Sequence, residues 1–454
     1  MTYIILKLTE MLSLDDPDMD ARYMSGTNSE TYLRRVCEVN YITSGTPAIH
    51  NDEQVIKGLL QHGWAVEDVR DWVPCGCVEP VVSGKHFAAT GDIDSNLMVP
   101  LEVALNNGRH PKWNRSPADE PLGTPTTGEV ESFSDFDAFF AAFKRQFHFI
   151  YEPLIDEVSH ELVKIHPQVI PAPLYSALLE GCIESGRGMT QGGARYNSSG
   201  TSFIGLSDVV DSLLAIKKLV FDGVDGKTIG FRELMDAVDH NFRGEVPGSD
   251  EDRRYKRVYA AARYSAPKFG SGDAEAREMA DRLTQMVRDF FNQYTNDRGG
   301  PYTTGYRTNN NHTVFGRVSG ASPSGRLANM PFTSGLTPSP VASKNLLDNL
   351  IDVGSIDPHT ADNSYTLNVR LSFSRKNGHA DNVALIAHYV DTYFESGGMQ
   401  LQFNMVDSDT LKDAMANPEY YPDLIVRVSG YTGYYTRMQQ DLQLEIIGRT
   451  EFAL

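Results

Sequence analysis

A cysteine and a glutamate two residues apart are the first side chains in this sequence whose types and spacing could do chemistry. They are Cys77 and Glu79, in the run DWVPCGCVEP. Proline on both sides and a glycine between two cysteines predict a constrained loop tip that aims a side chain into a cavity. In a strand-like Cys-x-Glu the two side chains share a face, so a thiol and a carboxylate would reach the same substrate. The alternative interpretation of this segment alone is a buried loop cysteine beside a solvated glutamate.

A second candidate lies near the C-terminus, in DLIVRVSGYTGYY at Asp423 to Tyr435. The apolar run predicts a strand, and Ser429-Gly430-Tyr431 predicts a tight turn after it. A glycine in such a turn is normally explained by a positive φ or by close approach of another chain segment. Gly433 lies close enough in sequence to compete with Gly430 for any special role.

Hydrophobic periodicity predicts the elements that would position these residues. A helix is expected from Ser134 to about Ile165, because phenylalanines recur at i, i+3, i+4 and i+7 spacing, and this stripe is assigned to the core. Further helices are expected from Ser207-Asp208 through Val220, from Asp273 to Tyr294 and from Ala380 to Ser396. Short apolar runs predict strands at Gln168 to Ile170, Thr366 to Leu371 and Gln400 to Met405. Strands that alternate with long helices indicate an α/β sheet or barrel.

Two stretches rich in Pro, Gly, Ser and Thr are predicted to be loops or insertions. They are Gly108 to Gly128 and Gly316 to Pro340. The second is too long for an idle connection in a compact domain, so it indicates either a functional segment or a substantial packed excursion.

Composition excludes several classes of function. Asp+Glu number 60 against 41 Lys+Arg, and the net charge of −19 argues against a nucleic-acid or anionic-membrane partner. The N-terminus lacks the features of a signal peptide and no apolar run could span a membrane, so a cytoplasmic location is expected. Four cysteines without a second ligand pair predict no metal site, and Cys75 is interpreted as a packing residue. No phosphate-loop or dinucleotide motif is present, so no bound cofactor is predicted.

Several motifs resemble those of the pyruvate formate-lyase-like family of glycyl radical enzymes. VRVSGY at Val426 to Tyr431 resembles the glycyl radical motif, and GCVEP at Gly76 to Pro80 resembles the cysteine loop. Nearly the whole chain shares the likeness, including the following stretches: HND at His50, EGCIESG at Glu180, GGARYN at Gly192, GASPSGR at Gly320 and GGMQLQFNMVDSD at Gly397.

The resemblance implies that Gly430 stores a radical, that Cys77 forms a thiyl and that Glu79 is the general base. A glycine Cα radical is stabilised by its flanking amides, and only glycine lacks a Cβ. The Cys-x-Glu pattern is similar to that of members that eliminate water, an amine or sulfite, and also to that of arylacetate decarboxylases. Elimination is the first choice and decarboxylation the alternative. A non-catalytic radical-bearing fragment is a further alternative, against which the presence of Cys77 and Glu79 speaks.

The resemblance also implies a fold: the second half of a ten-stranded α/β barrel, with a catalytic part at residues 1–325 and a glycyl radical domain at 326–454. Family members are near twice this length. Three explanations of this difference in length are open: an incomplete gene model, a two-part enzyme whose N-terminal half is another chain, and a decayed remnant. A half-barrel is expected to expose apolar surface that a partner half would cover.

Partners and minor site residues follow from the same resemblance. The radical would be installed by a separate radical S-adenosylmethionine activating enzyme, which alone carries the iron-sulfur cluster. A small-molecule substrate is expected, and a homodimer for the complete enzyme. His110 could face the site, although a surface or capped histidine is the alternative, and Arg307 could grip an anionic substrate group.

Overall fold

Two sheets and the helices around them organise the chain. The computed structural model describes residues 1–110, 124–374, 376 and 378–454. No helix in these ranges is long and apolar enough to cross a membrane.

The helices are as follows: α1 Thr2–Leu12, α2 Glu30–Thr43, α3 Asp52–Leu60, α4 Val66–Val69, α5 Met98–Leu105, α6 Phe136–Pro153, α7 His160–Val169, α8 Pro173–Ala177, α9 Cys182–Ser185, α10 Leu206–Ile216, α11 Phe231–Asp239, α12 Asp250–Tyr264, α13 Ala274–Phe291, α14 Asn311–Val318, α15 Leu346–Gly354, α16 His379–Glu395, α17 Ser408–Ala416 and α18 Gln440–Gly448. The strands are as follows: β1 Asp20–Tyr23, β2 Ala48–Asn51, β3 Trp72–Cys75, β4 Glu79–Val82, β5 His86–Phe87, β6 Ile93–Asn96, β7 Tyr196–Asn197, β8 Ser199–Ile204, β9 Tyr302–Tyr306, β10 Ser364–Tyr365, β11 Asn368–Ser372, β12 Gln400–Asn404, β13 Ile425–Arg427, β14 Thr432–Tyr434 and β15 Glu451–Ala453.

Parallel pairing dominates both sheets. One sheet has the order β10-β9-β8-β6 with every neighbouring pair parallel. The other has the order β1-β2-β12-β11-β15, in which only the β2–β12 pair is antiparallel. Every residue of β8, β9 and β12 is buried, as expected for strands covered on both faces. Two short hairpins, β3–β4 and β13–β14, lie outside these sheets.

The phenylalanine stripe of α6 belongs to the core, as predicted. Asp135 caps the helix by accepting a hydrogen bond from the backbone N–H of Ala138 at 2.8 Å. Phe140 packs edge-to-face on Phe143, and Phe136 packs at a tilt on Phe139 and Phe140. The stripe residues are no more than 6% exposed: Phe136, Phe139, Phe140, Phe143 and Phe147. A π-helical segment, Leu154–Ser159, joins α6 to α7, so the predicted long helix is interrupted rather than ended.

Most of the other predicted elements are confirmed, and one is wrong. The helices α10, α13 and α16 and the strands β11 and β12 lie where the patterns predicted them. The strand predicted at Gln168 to Ile170 is wrong, because residues 168 and 169 form the last turn of α7. Val169 is 68% exposed and Ile170 is 57% exposed, so this apolar run is not a buried strand.

The two predicted insertions have different outcomes. Residues 319–345 contain neither helix nor strand, and residues 321–326 are all buried, so this segment is a packed excursion. The guanidinium of Arg326 organises it by donating to the backbone carbonyls of Leu327 and Met330, the latter at 2.6 Å. Of the other insertion, Gly108 to Gly128, residues 111–123 lie outside the described part of the chain.

Apolar side chains are exposed at several places, and two groups of them lie on α1 and near α8. On α1, Ile4 is 62% exposed and Met11 is 67% exposed. On and near α8, Leu174 is 73% exposed and Leu178 is 69% exposed. Patches of this kind are typical of surfaces that another polypeptide segment covers.

The end of the chain has a hydrophobic core of its own around the β13–β14 hairpin. We call it the C-terminal core, and it consists of Val406, Leu411, Ala414, Val426, Val428, Tyr435, Leu442 and Ile446. A buried charge cluster seats this unit on the body of the protein. Glu445 of α18 pairs with Arg449 at 2.8 Å and with His312 of α14 at 3.2 Å. Arg449 in turn donates to the backbone carbonyl of Val428 at 2.7 Å.

The Glu445 cluster predicts a pH-dependent stability. Burial raises the pKa of this carboxyl, but Arg449 and His312 outweigh burial and bring the pKa to about 2. A depressed pKa contributes stability above the unfolded-state pKa near 4.5, and the contribution is lost as the pH falls toward 2. Glu445→Gln should therefore lower the free energy of unfolding by about 3 kcal/mol at pH 7 and by much less near pH 3.

Urea unfolding at both pH values measures this effect. The exposed Glu419 of the same C-terminal unit gives the matched control Glu419→Gln, which should match the unsubstituted protein at both pH values. Equal destabilisation of Glu445→Gln at pH 7 and pH 3 would contradict the assignment.

Candidate active site

The cysteine loop is the tip of an antiparallel hairpin. Strands β3 and β4 pair with Trp72 opposite Val82 and Cys75 opposite Glu79. Gly76 has φ +67°, the left-handed conformation that lets the chain reverse at this point. Cys77 therefore lies in the turn, whereas Glu79 begins β4. The expectation that the two side chains share one face of a strand is wrong, because a turn separates them.

Glu79 reaches Cys77 by folding back over the turn. Its Oε2 accepts hydrogen bonds from the backbone N–H of Cys77 at 3.0 Å and of Val78 at 2.9 Å. Its Oε1 is ion-paired with Nε of Arg307, and the residue is only 3% exposed. Oε2 uses both of its lone pairs in these two hydrogen bonds, whereas Oε1, which contacts only Arg307 among the described residues, keeps one lone pair free to accept a proton or hydrogen bond. The carboxylate thus lies beside the cysteine in a form that can serve as a base.

Arg307 lies directly after β9 and is buried beside Glu79. Besides its ion pair with Glu79, its Nη2 lies 3.3 Å from Oδ1 of Asp94 on β6. The guanidinium therefore ties the cysteine hairpin to the parallel sheet. Both of these partners are carboxylates of the chain itself, and a role for Arg307 in gripping an anionic substrate group stays a prediction.

The thiol of Cys77 is held in its protonated form. Its Sγ donates to Oδ1 of Asn309 at 3.1 Å. Burial raises the pKa of Cys77 to about 11, and the negative charge of Glu79 acts in the same direction. At neutral pH the sulfur carries its hydrogen, which is the form that hydrogen-atom transfer requires.

Gly430 approaches Cys77 from the opposite hairpin. It lies in the turn between β13 and β14, where Arg427 is opposite Thr432, and it has φ +87°. A Cβ placed on Gly430 would lie 2.4 Å from Cβ of Cys77 and 3.2 Å from its Sγ. The hydrogen atom at that position on Cα therefore points at the cysteine side chain, and only glycine fits.

Gly433, the rival glycine, is placed elsewhere. It belongs to β14 and lies opposite Val426. A Cβ on Gly433 would lie 3.0 Å from Cε of Met438 and 3.9 Å from the ring of Tyr431, and no described atom of Cys77 would lie within 4 Å of it. Of the two glycines, the structure brings Gly430 to the thiol.

His110 lies in a separate buried network. Its Nε2 is 3.3 Å from Oε2 of Glu102 on α5, and Oε1 of the same carboxylate accepts from the backbone N–H of Gly320. None of these described contacts reaches the Cys77 loop, and a substrate role for His110 stays a prediction. Cys75, interpreted from the sequence as a packing residue, is exposed, so that interpretation is wrong.

Sequence reasoning missed the polar groups that surround the two hairpin tips. Asn309 accepts from the Cys77 thiol, and Gln402 accepts from the backbone N–H of Gly430 at 3.1 Å. The carbonyl of Gly430 accepts from Nη2 of Arg427 at 3.0 Å. Arg427 lies inside the VRVSGY motif and could have been suspected from its position. Nothing in the type or spacing of Asn309 and Gln402 distinguishes them, because the fold alone brings them to the site.

The pKa of Cys77 predicts how the thiol reacts with an alkylating reagent. Because the thiolate is the nucleophile, the rate of alkylation by iodoacetamide should rise about tenfold per pH unit between about pH 7 and pH 10. Mass spectrometry of the peptide that contains both cysteines measures the rate, and the exposed Cys75 is the internal comparison, which should be modified first. A rate for Cys77 that levels off near pH 8 would show that its thiol is not protected by burial.

Comparison with known proteins relates the whole chain to one family. The family model described as Pyruvate formate lyase-like matches residues 1–316, and the model described as Glycine radical matches residues 332–436. The chain is 32% identical to trans-4-hydroxy-L-proline dehydratase of Clostridioides difficile, over 99% of its own length and 54% of that protein. It is 29% identical to indoleacetate decarboxylase of Tractidigestivibacter scatoligenes, over 94% of its own length and 49% of that protein.

A solved structure concerned with 1,2-propanediol dehydration in Roseburia inulinivorans superposes with a TM-score of 0.91 at 31% identity. The match covers 99% of this chain and 55% of that one, so the chain spans about half the length of the relatives it matches. The predicted α/β fold of the second half of the barrel is confirmed by this superposition. Since the first family model alone covers more than half of the sequence, the chain belongs to the pyruvate formate-lyase-like family of glycyl radical enzymes.

Proposed function

We propose that this chain carries the radical store, the thiol relay and the base of a glycyl radical lyase. The observation that supports this most is the direction of the Gly430 Cα–H, which points at the side chain of Cys77. A radical at Cα of Gly430 would take the hydrogen atom of the Cys77 thiol, which leaves a thiyl radical on the sulfur. Gly430 is buried and Cys77 is half-buried, which limits the access of water to that transfer.

Glu79 supplies the second part of the chemistry. The Cys77 thiyl would take a hydrogen atom from the substrate carbon that bears a hydroxyl. Removal of the proton from that hydroxyl then favours expulsion of a leaving group from the neighbouring carbon. The remaining lone pair of Oε1 of Glu79 can take that proton, and the ion pair with Arg307 holds the carboxylate in place. This supports an elimination that breaks a C–O, C–N or C–S bond of a small-molecule substrate.

The relatives support elimination first and decarboxylation second. A relative named as a dehydratase and a solved structure concerned with diol dehydration are both at least 31% identical to the chain. The relative named indoleacetate decarboxylase keeps arylacetate decarboxylation as the alternative. A non-catalytic radical-bearing fragment is less well supported, since such a fragment needs neither Cys77 nor Glu79.

The proposal includes a partner and a division of the chain. A radical S-adenosylmethionine activating enzyme with an iron-sulfur cluster would remove the hydrogen atom of Gly430, and this chain itself binds no cofactor. The catalytic part would end at residue 325 and the glycyl radical domain would extend over 326–454. A homodimer is proposed for the complete enzyme.

The location of the radical is tested by electron paramagnetic resonance after anaerobic activation. Because the radical centre carries one α-hydrogen, the protein should show a doublet that collapses when glycine is α-deuterated. Gly430→Ala should abolish the doublet, and Cys77→Ser should retain it while turnover is lost, since an O–H bond is too strong for the relay. Gly433→Ala, whose Cβ would press on the flexible end of Met438 and lie at ordinary contact distance from Tyr431, is the matched control and should retain the doublet. A doublet in Gly430→Ala would remove the basis of the proposal.

The reaction is tested with a panel of substrates offered to the activated enzyme. Small diols, choline and isethionate represent elimination, and phenylacetate with its hydroxylated and indole relatives represents decarboxylation. An aldehyde product with release of water, an amine or sulfite is expected. Glu79→Gln should keep the doublet and slow turnover on the order of 10²–10⁴-fold, the usual effect of losing a general base. Carbon dioxide from an arylacetate, with no product from the first group, would favour the alternative.

A further inference from the structure

The backbone groups on either side of the Gly430 Cα are each held by a buried side chain. The N–H donates to Oε1 of Gln402 at 3.1 Å, and the carbonyl accepts from Nη2 of Arg427 at 3.0 Å. Nε of Arg427 also donates to the same Oε1 of Gln402 at 2.6 Å. The two side chains and the glycine therefore form a closed hydrogen-bonded ring, which we call the Gly430 clamp.

Other residues hold the clamp in one arrangement. Both Nη atoms of Arg427 pair with the carboxylate of Asp18, which lies just before β1. The amide nitrogen of Gln402 donates to Oδ1 of Asn368, which fixes the orientation of the side-chain amide. Arg427 is 1% exposed and Gln402 is fully buried, so both groups act without competition from water.

The charges of the clamp match the electronic needs of a radical at this carbon. A glycyl radical is stabilised when the amide nitrogen donates electron density and the carbonyl withdraws it. A guanidinium bound to the carbonyl oxygen strengthens its withdrawal, and an amide oxygen bound to the N–H strengthens donation by the nitrogen. Both contacts thus act in the same direction, and the charged one is the stronger type of hydrogen bond.

We propose that Arg427 and Gln402 are positioning residues that polarise the two backbone groups of Gly430 and so stabilise the radical while keeping its C–H directed at Cys77. Asp18 supports this role by neutralising and orienting the guanidinium. The inference rests on the proposed function, because it takes Gly430 as the radical store.

A purely structural role predicts a different result. A hairpin turn needs partners for its backbone groups, and any polar side chains could supply them. The opposite side of the same hairpin offers the comparison, since Arg449 donates to the carbonyl of Val428 and is balanced by Glu445. That pair has the same charges as Arg427 and Asp18, but it touches no backbone group of Gly430 in the described contacts.

The test compares two double variants of the activated full-length chain by electron paramagnetic resonance. Asp18→Asn combined with Arg427→Met removes the cation from the Gly430 carbonyl and leaves no unpaired charge. Spin density should then be more concentrated on Cα, so the splitting from the α-hydrogen should widen. The radical yield per chain should fall on the order of tenfold or more, which is the effect of losing a charge-assisted hydrogen bond. The matched control, Glu445→Gln combined with Arg449→Met, should keep the splitting of the unsubstituted protein.

Gln402→Met is a second variant, and it changes no charge. It replaces the double variant in the test if circular dichroism shows that the double variant does not fold. It removes the acceptor of the Gly430 N–H and should also widen the splitting. Unchanged splitting and yield in the folded variants would overturn the inference while leaving the proposed function intact, and equal changes in the control pair would also overturn it. Absence of a doublet in the unsubstituted protein would instead overturn the proposed function, and the clamp role with it.

Discussion

The constraint on which the rest of the site depends is the close approach of two hairpin tips. The Cβ position of Gly430 lies 2.4 Å from Cβ of Cys77, which is closer than any side chain allows. A hydrogen atom can pass between the two residues only while this distance is maintained. Because the tips are far apart in sequence, the body of the protein must hold each hairpin from behind.

The cysteine hairpin is held by polar contacts of a buried tryptophan. The indole N–H of Trp72 on β3 donates to Oδ1 of Asp52 at 2.6 Å, and Arg22 donates to the Trp72 carbonyl at 2.7 Å. The hairpin β13–β14, with Gly430 in its turn, is here called the radical hairpin, and it is held by Arg427 and Arg449, both buried. Buried ion pairs contribute little net stability, because desolvation offsets their attraction, but breaking one is costly. Their effect here is to allow one arrangement of each hairpin.

Helices and strands could be predicted from the sequence far better than the contacts between distant segments at the site. The stripe on α6 and the strands β11 and β12 could be predicted because their apolar spacing records burial directly. Cys77, Glu79 and Gly430 were identified from motifs, and the structure brings all three together. The residue types predict the loop tip at Gly76, but the expectation that Cys77 and Glu79 share one strand face is wrong, because local spacing does not show that Glu79 folds back onto backbone N–H groups. Gln402 and Asp18 could not be predicted at all, since their contacts with the radical hairpin form only after distant segments have packed.

Two hairpins of this chain bring Cys77, Glu79 and Gly430 together: β3–β4 carries the first two and β13–β14 carries the third. Under the proposed function, these three residues supply the hydrogen-atom transfer and the proton transfer. Apolar side chains on α1 and near α8 remain exposed, and the chain spans about half the length of its relatives. Under the proposed function, the same thiol, carboxylate and glycine would serve elimination and decarboxylation alike, so the choice between the two reactions would depend on the walls that surround the thiol.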